Sequence, residues 1–236
     1  MSTVTSIRKP TAGYLETLLA GQPKLTTSPL ARINALRAEA VNRLDVLALP
    51  TLRDEAWRFT DISQLTKQSF TPALSATFLE DADIAHFYIE EASTRLVFVD
   101  GIYAPQLSSA ASETGMVVSN LPAALATHSA AIEAHLGRHL ACRDDVFAAL
   151  NTAFLHDAAV IVVPRNVAFA APVHLLFIAT QKGVVSTPRC LVVAESGSLM
   201  TVIEDYVVLD QPHRQEEAHF TNAVTEIALE DNARVN

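Results

Sequence analysis

Three segments in the second half of the chain share one form, in which an apolar strand is followed by a polar turn and a second strand. The segments are residues 161–169, 192–200 and 227–235. Their turns carry Asn166, Gly197 and Asn232, which are the residue types that most easily take a positive φ angle. The first and second of these turn residues are 31 positions apart, and the second and third are 35 positions apart. Such a repeat favours a β-solenoid whose coils carry loops, and an antiparallel sandwich with similar turns is the alternative.

The first part of the chain has a different, helical texture. Apolar residues recur at helical spacing over residues 28–47. Further helices are predicted over 121–140 and 144–155. A β-hairpin should interrupt this region at 95–104, where a β-branched strand ends in an Asp-Gly turn.

These patterns predict an α+β, mainly β fold in two parts. Residues 1–155 form a mainly helical region that contains the hairpin near 95–104. Residues 158–236 read as strand almost throughout and form the start of the solenoid core.

Charge and hydropathy exclude several classes of function. The formal net charge is -9 at pH 7 and the basic residues are scattered, so nucleic acid is a poor partner. The amino terminus lacks the apolar core of a secretory signal and the arginine-rich pattern of a transit peptide. The longest apolar stretches are far shorter than a bilayer span. We therefore expect a cytoplasmic protein with no membrane contact.

The cysteines and histidines offer only weak candidates for metal binding. Cys142 and Cys190 cannot supply the roughly four thiolates of an iron–sulfur cluster, and both are expected to be buried small side chains. His135, His139 and Cys142 could share a helix face and bind zinc. No acidic partner stands at the spacing of a metalloprotease helix, so a solvent-facing helix with incidental histidines is the preferred interpretation.

Other polar and aromatic candidates are also weak. Glu204 and Asp205 could hold calcium or act as a base, but without clustered arginines a turn at a coil corner is preferred. Trp57 could dock a partner, but an anchor between the helical part and the core is preferred. No nucleophile–base arrangement and no glycine-rich phosphate loop occurs in the sequence. We therefore predict that the chain is not an enzyme and assign no catalytic, cofactor-binding or metal-binding residue. A polysaccharide-active β-helix enzyme is the alternative, by fold analogy alone.

Several motifs resemble one known family. They are LPTLRDEAWRFTD at 49–61, NTAFLHD at 151–157, PVHLL at 172–176 and AESGSLMTVIEDY at 194–206. In this order the runs are similar to the SufB/SufD family of the SUF iron–sulfur cluster assembly machinery. The chain is identified as a SufD-type member, with the resemblance running from about residue 49 to residue 236.

The resemblance implies a helical amino-terminal part, a central right-handed parallel β-helix and a carboxy-terminal helical part that docks the SufC ATPase. The last part lies beyond this sequence, which is expected to be truncated. The implied function is a scaffold subunit of the SufBCD complex, with SufB and SufC as protein partners. No cofactor is expected in this chain, and an iron–sulfur cluster and a flavin are expected only in the assembled complex. A truncated edge near 225–235 should either fray or pair two copies into a homodimer.

Overall fold

The computed structural model describes residues 12–109, 115–140, 144–209 and 218–236. Its α-helices are α1 Ala12–Leu19, α2 Ala31–Leu44, α3 Asp81–Ile84, α4 Leu121–His135 and α5 Val146–Ala153. Helices α2, α4 and α5 confirm the three predicted from apolar periodicity. Within these described ranges, none of the helices has both the length and the apolar character needed to cross a bilayer.

Local chemistry accounts for the ends of two of these helices. Asp145 precedes α5, and its carboxylate accepts hydrogen bonds from the Phe147 and Ala148 backbone N–H groups at 2.8 and 2.9 Å. Helix α4 ends just before Gly137, whose φ of +71° is the usual conformation after a helix.

The strands are short and are distributed between residue 71 and residue 235. They are β1 Thr71–Pro72, β2 Thr94–Val99, β3 Ile102–Tyr103, β4 Val117–Asn120, β5 Ala159–Val163, β6 Val173–Ala179, β7 Val184–Ser186, β8 Arg189–Ala194, β9 Leu199–Met200, β10 Val202–Val208, β11 Phe220–Thr221, β12 Val224–Leu229 and β13 Arg234–Val235. Strands β2 and β3 form the predicted hairpin, with Phe98 opposite Tyr103.

The described strands form four sheets. Their orders are β10-β6-β2-β3, β12-β8-β5-β4, β1-β7-β11 and β13-β9. Most pairs are parallel, but β3 runs antiparallel to β2 and β4 runs antiparallel to β5. The two larger sheets are therefore mixed and open.

The predicted right-handed parallel β-helix is wrong as a description of this fold. Among the described residues the sheets are separate and two are mixed, and none closes into a solenoid. Strands β1, β2 and β4 come from the part predicted to be mainly helical, and β2 pairs in parallel with β6 along its whole length. The two predicted parts therefore share sheets, while the boundary proposed at 155–158 stays a prediction. The predominance of parallel pairs also speaks against the antiparallel sandwich.

The repeated turns do lie on top of one another, as the repeat predicts. Asn166, Gly197 and Asn232 have φ angles of +58°, +72° and +60°. The Asn166 N–H donates to the Ser196 carbonyl and the Gly197 N–H donates to the Asp231 carbonyl, at 3.0 and 2.9 Å. The sequence repeat therefore predicts that the turns and the parallel strands next to them stack. It does not predict whether the sheets close.

Most of the core lies on the two faces of the larger sheets. The face between the sheets carries Leu96, Phe98, Ile161, Leu175, Phe177, Cys190 and Val192. The opposite faces pack against helices, with Val160, Val162, Leu191 and Val193 beneath α2 and α4, and Val97, Val99, Leu176 and Ile178 beneath α3. Strands buried on both faces need continuous apolar runs, which explains the composition of β5, β6 and β8.

Replacement by alanine is predicted to destabilise the protein at one glycine, in a stacked turn, and not at another, in a helix. At Gly197 an added Cβ would lie 2.5 Å from the Asn166 Oδ1 atom in a left-handed conformation. Gly197→Ala should therefore lower the free energy of unfolding by about 1–3 kcal/mol. In α1, Gly13 has nothing within 4 Å of the added atom, so Gly13→Ala should cause no loss. Urea unfolding followed by circular dichroism measures both, and equal midpoints would contradict the account.

Candidate functional site

Glu204 and Asp205 do not act as a carboxylate pair, because adjacent residues of a strand point to opposite faces. Both lie within β10, so the predicted coil-corner turn is wrong. Glu204 lies on the face between the sheets, where it accepts from the Thr225 Oγ1 atom at 2.6 Å and the Tyr206 hydroxyl at 2.9 Å. On the other face, an Asp205 oxygen lies 3.7 Å from the Nε2 atom of the buried His174.

Glu204 is the centre of a polar group that we call the Glu204 cluster: Cys190, Glu204, Tyr206 and Thr225. The Cys190 side chain is buried, as the sequence predicts. Burial, with the nearby Glu204 carboxylate, raises the pKa of the Cys190 thiol well above its ordinary value. Burial and Glu204 also raise the pKa of the Tyr206 hydroxyl. Both groups therefore favour their protonated forms. A protonated thiol is a poor nucleophile and a poor metal ligand.

A buried ion pair lies on the other face of β8 and β12, the face that points away from the Glu204 cluster. The side chains of Arg189 and Glu226 are both fully buried and directly paired. The Arg189 Nη1 atom also donates to Asn151 at 2.9 Å and to Thr152 at 3.3 Å. The pair therefore ties α5 to two strands of one sheet.

The two carboxylate oxygens of Glu226, including the Oε1 atom that pairs with Arg189, also hold the segment that follows α4. They accept from the backbone N–H groups of Gly137 at 2.8 Å and His139 at 3.0 Å. Buried charges are tolerated where such partners satisfy them. Sequence reasoning missed this pair. The signal that could have found it is the repeat, since Arg189 and Glu226 stand on neighbouring strands in equivalent segments.

The histidine candidates come together, but not on one helix face. Helix α4 ends at His135, and His139 lies beyond the turn at Gly137. The ring nitrogens Nδ1 of His135 and Nε2 of His139 are 3.2 Å apart. Burial and the neighbouring His139 lower the pKa of His135, which favours the neutral form of the His135 ring. Cys142 lies outside the described residues. Within those residues no group of three or more metal-binding side chains occurs.

Trp57 packs against a helix, which supports the predicted anchoring role. It ends a 3-10 turn, Glu55–Trp57, and its ring centroid lies 5.4 Å from that of Phe147 in α5. The neighbouring Phe59 is 93% exposed and therefore contributes little to the core.

The outer strands of the two larger sheets present an apolar surface. β10 and β12 each stand at the end of their sheet, so one edge of each is unpaired among the described strands. We call their exposed apolar side chains the open-edge face: Tyr206, Val208, Ile227 and Leu229, which are 43–55% exposed. Unpaired edges beside exposed apolar groups are sites where another strand can add. The open-edge face, with the Glu204 cluster at its side, is the candidate functional site.

Two family models match the chain. One describes the SufBD protein N-terminal region and matches residues 9–175. The other describes the SufBD core domain of SUF system FeS cluster assembly and matches residues 177–236.

Three relatives are similar over most of the chain. An iron–sulfur cluster assembly SufBD family protein of Synechocystis sp. is 36% identical over 215 residues, which are 84% of this chain and 45% of that protein. The chloroplastic protein ABCI7 of Arabidopsis thaliana is 28% identical over 236 residues, with 95% and 46% covered. The iron–sulfur cluster assembly protein SufD of Bacillus subtilis is 26% identical over 212 residues, with 87% and 47% covered. The chain thus spans about half the length of these relatives.

The buried ion pair predicts strong coupling between two substitutions. Arg189→Met or Glu226→Leu alone leaves one charge buried without its partner and should cost roughly 3–5 kcal/mol of unfolding free energy. The double variant removes both charges and should cost clearly less than the sum of the two. Denaturant unfolding of all four proteins measures the coupling, and additive losses would show that the pair is not a unit.

Burial of Cys190 predicts a slow thiol. In a Cys142→Ser background, Ellman's reagent at pH 7.5 should react with native protein at least about a hundredfold more slowly than with urea-unfolded protein. The physical reason is that the thiol is both inaccessible and protonated. Native reaction as fast as the unfolded reaction would contradict the geometry of the Glu204 cluster.

Proposed function

The chain belongs to the SufBD family of the SUF system for iron–sulfur cluster assembly, and we propose that it serves there as a SufD-like scaffold subunit without catalytic activity. The observation that carries this proposal is the family match, since the two family models together extend from residue 9 to residue 236. The SufD of Bacillus subtilis is among the relatives, which supports the SufD-like assignment.

The geometry supports a structural role for the polar groups. Arg189 and Glu226 satisfy each other inside the protein. The Cys190 thiol stays protonated, and Glu204 and Asp205 lie on opposite faces of β10. A polysaccharide-active enzyme would need several carboxylates in one groove, and Glu204 and Asp205, on opposite faces of one strand, do not supply such a pair. The open-edge face remains, and its chemistry suits contact with another polypeptide.

We propose SufB as the partner at the open-edge face. The matching core model carries the name of both proteins, so a SufB chain should offer strands of similar length and spacing. Backbone pairing along β10 or β12 would supply hydrogen bonds, and Tyr206 and Ile227 would supply apolar contact. A second copy of this chain would fit the same face and form a homodimer. We place the contact with SufC in a different part of the SufBCD complex.

We further propose that this chain holds no cofactor of its own and acts in the cytoplasm. A cluster needs thiolates, and the one cysteine within the described residues favours the protonated thiol. The iron–sulfur cluster and a flavin would then be held only by the assembled complex.

The partner proposal predicts selective loss of binding. Tagged chain co-expressed with SufB should retain SufB, and Ile227→Lys should reduce the retained amount at least about tenfold, because the lysine would bring a charge into a dry contact. Affinity purification followed by quantitation of SufB measures this. The same purification from cells that also express SufC tests SufC.

Leu52→Lys is the matched control, since Leu52 is 50% exposed and Ile227 is 47% exposed. Light scattering of the purified chain should report a dimer that Ile227→Lys dissociates and Leu52→Lys does not. Equal SufB retention by wild type and Ile227→Lys would refute the assigned face. Failure of the chain to retain either SufB or SufC would refute the scaffold role.

A further inference from the structure

A cavity of about 290 Å³ lies away from the open-edge face, where the loop at 24–29 meets the start of α4. Its walls combine nitrogen-bearing side chains and apolar side chains, and none of the described residues that line it is acidic. The groups that matter for binding are Lys24, Arg37, His156, Leu74, Leu121 and Leu125. Positive lining without an acid is unusual in a chain whose formal net charge is -9.

Arg37 of α2 is the most buried of the three nitrogen-bearing groups and lacks a countercharge. The residue is only 6% exposed. Its Nε atom donates to the Leu155 carbonyl, and Nη1 donates to the Thr26 carbonyl at 2.8 Å. These acceptors are neutral, and Arg37 forms no ion pair with any described residue. A buried cation without an anion is costly, although a guanidinium stays protonated even where burial lowers its pKa, as at Arg37.

His156 adds a second unsatisfied group to the same cavity. Its Nδ1 atom lies 2.9 Å from the Phe154 carbonyl, so Nδ1 carries the proton that is donated there. The Nε2 atom is buried and has no hydrogen-bond partner among the described residues. Nε2 is therefore a polar atom that a ligand in the cavity would contact.

Lys24 stands exposed at the mouth, at the end of the 3-10 turn Gln22–Lys24. It forms no ion pair with the described residues. The carboxylate next to this region, Asp157, is already used at the start of α4. It accepts from the Leu121 N–H at 3.1 Å and from the Ala158 N–H at 2.8 Å. The positive charge of the cavity is therefore left for a ligand.

We propose that this cavity binds a small organic oxyanion, a carboxylate or phosphate monoester with a short apolar group, whose oxygens pair with Arg37 and Lys24. The apolar group would lie against Leu74, Leu121 and Leu125. The volume is near the lower end of ligand pockets, so the ligand is small. The pairing of an anion with the buried Arg37 guanidinium supplies the driving force for binding. This binding site is separate from the proposed scaffold contact and does not depend on it.

Calorimetric titration of the chain tests the proposal with four probes: inorganic phosphate, phenyl phosphate, hexanoate and hexanol. Phenyl phosphate and hexanoate should bind saturably and more tightly than inorganic phosphate, and hexanol should not bind. Lys24→Gln and Arg37→Lys should each weaken binding roughly tenfold, because each alters a charge-assisted contact. The matched controls Lys67→Gln and Arg32→Lys should leave affinity unchanged, since neither residue lines this cavity.

Arg37 also holds two carbonyls, so Arg37→Lys should lower stability. Lys24→Gln is exposed and decides the matter if the Arg37 variant does not fold. Affinity that is unchanged in Lys24→Gln, or no saturable binding below roughly 10 mM, would overturn the proposal. If inorganic phosphate bound as tightly as phenyl phosphate, the apolar contacts would contribute nothing. The proposal that the ligand is organic would then be refuted. Loss of SufB binding in other variants has no bearing on these outcomes.

Discussion

Arg189 and Glu226 bring two full charges out of water, and the surrounding structure supplies hydrogen-bond partners to both. Such a pair is tolerated only when its remaining donors and acceptors find partners. Asn151 and Thr152 of α5 accept from the Nη1 atom of the guanidinium, and the N–H groups of Gly137 and His139 donate to the carboxylate. The Nε atom of Arg189 is buried and has no hydrogen-bond partner among the described residues. One interaction thus fixes a helix, two strands and the segment after α4. A slip of either strand by one residue would send its charge into the apolar face between the sheets.

The same strand register determines which polar side chains face one another in the interior. Cys190 follows Arg189 in β8 and therefore points to the other face, beside Glu204. Tyr206 stacks on Phe177 with ring centroids 5.0 Å apart and leaves part of its ring at the surface. The Glu204 cluster therefore lies at the border between core and open edge. A thiol held protonated at this border suits a surface that pairs with another chain better than one that carries out chemistry.

Local features were predictable from the sequence, and distant pairings were not. Helices α2 and α5 follow from apolar periodicity, and the turns at Asn166 and Gly197 follow from residue types that accept a positive φ. The pairing of β2 with β6 joins Thr94 to Val173, and no local pattern carries that information. The β-helix prediction failed for this reason, because the repeat could not show which earlier strands would enter the sheets. The Arg189–Glu226 pair was missed because its members are distant in sequence.

The cavity at Arg37 is linked to the sheets through the chain that joins α5 to β5. The Arg37 guanidinium holds the Leu155 carbonyl, His156 forms part of the wall, and Asp157 caps α4 before the chain enters β5 at Ala159. An anion that neutralises Arg37 would remove the cost of its buried charge in the folded state alone. By mass action the ligand would then stabilise the junction of the helices with the sheets. The proposed ligand is therefore expected to act on the rigidity of the scaffold, with the open-edge face left free for a partner.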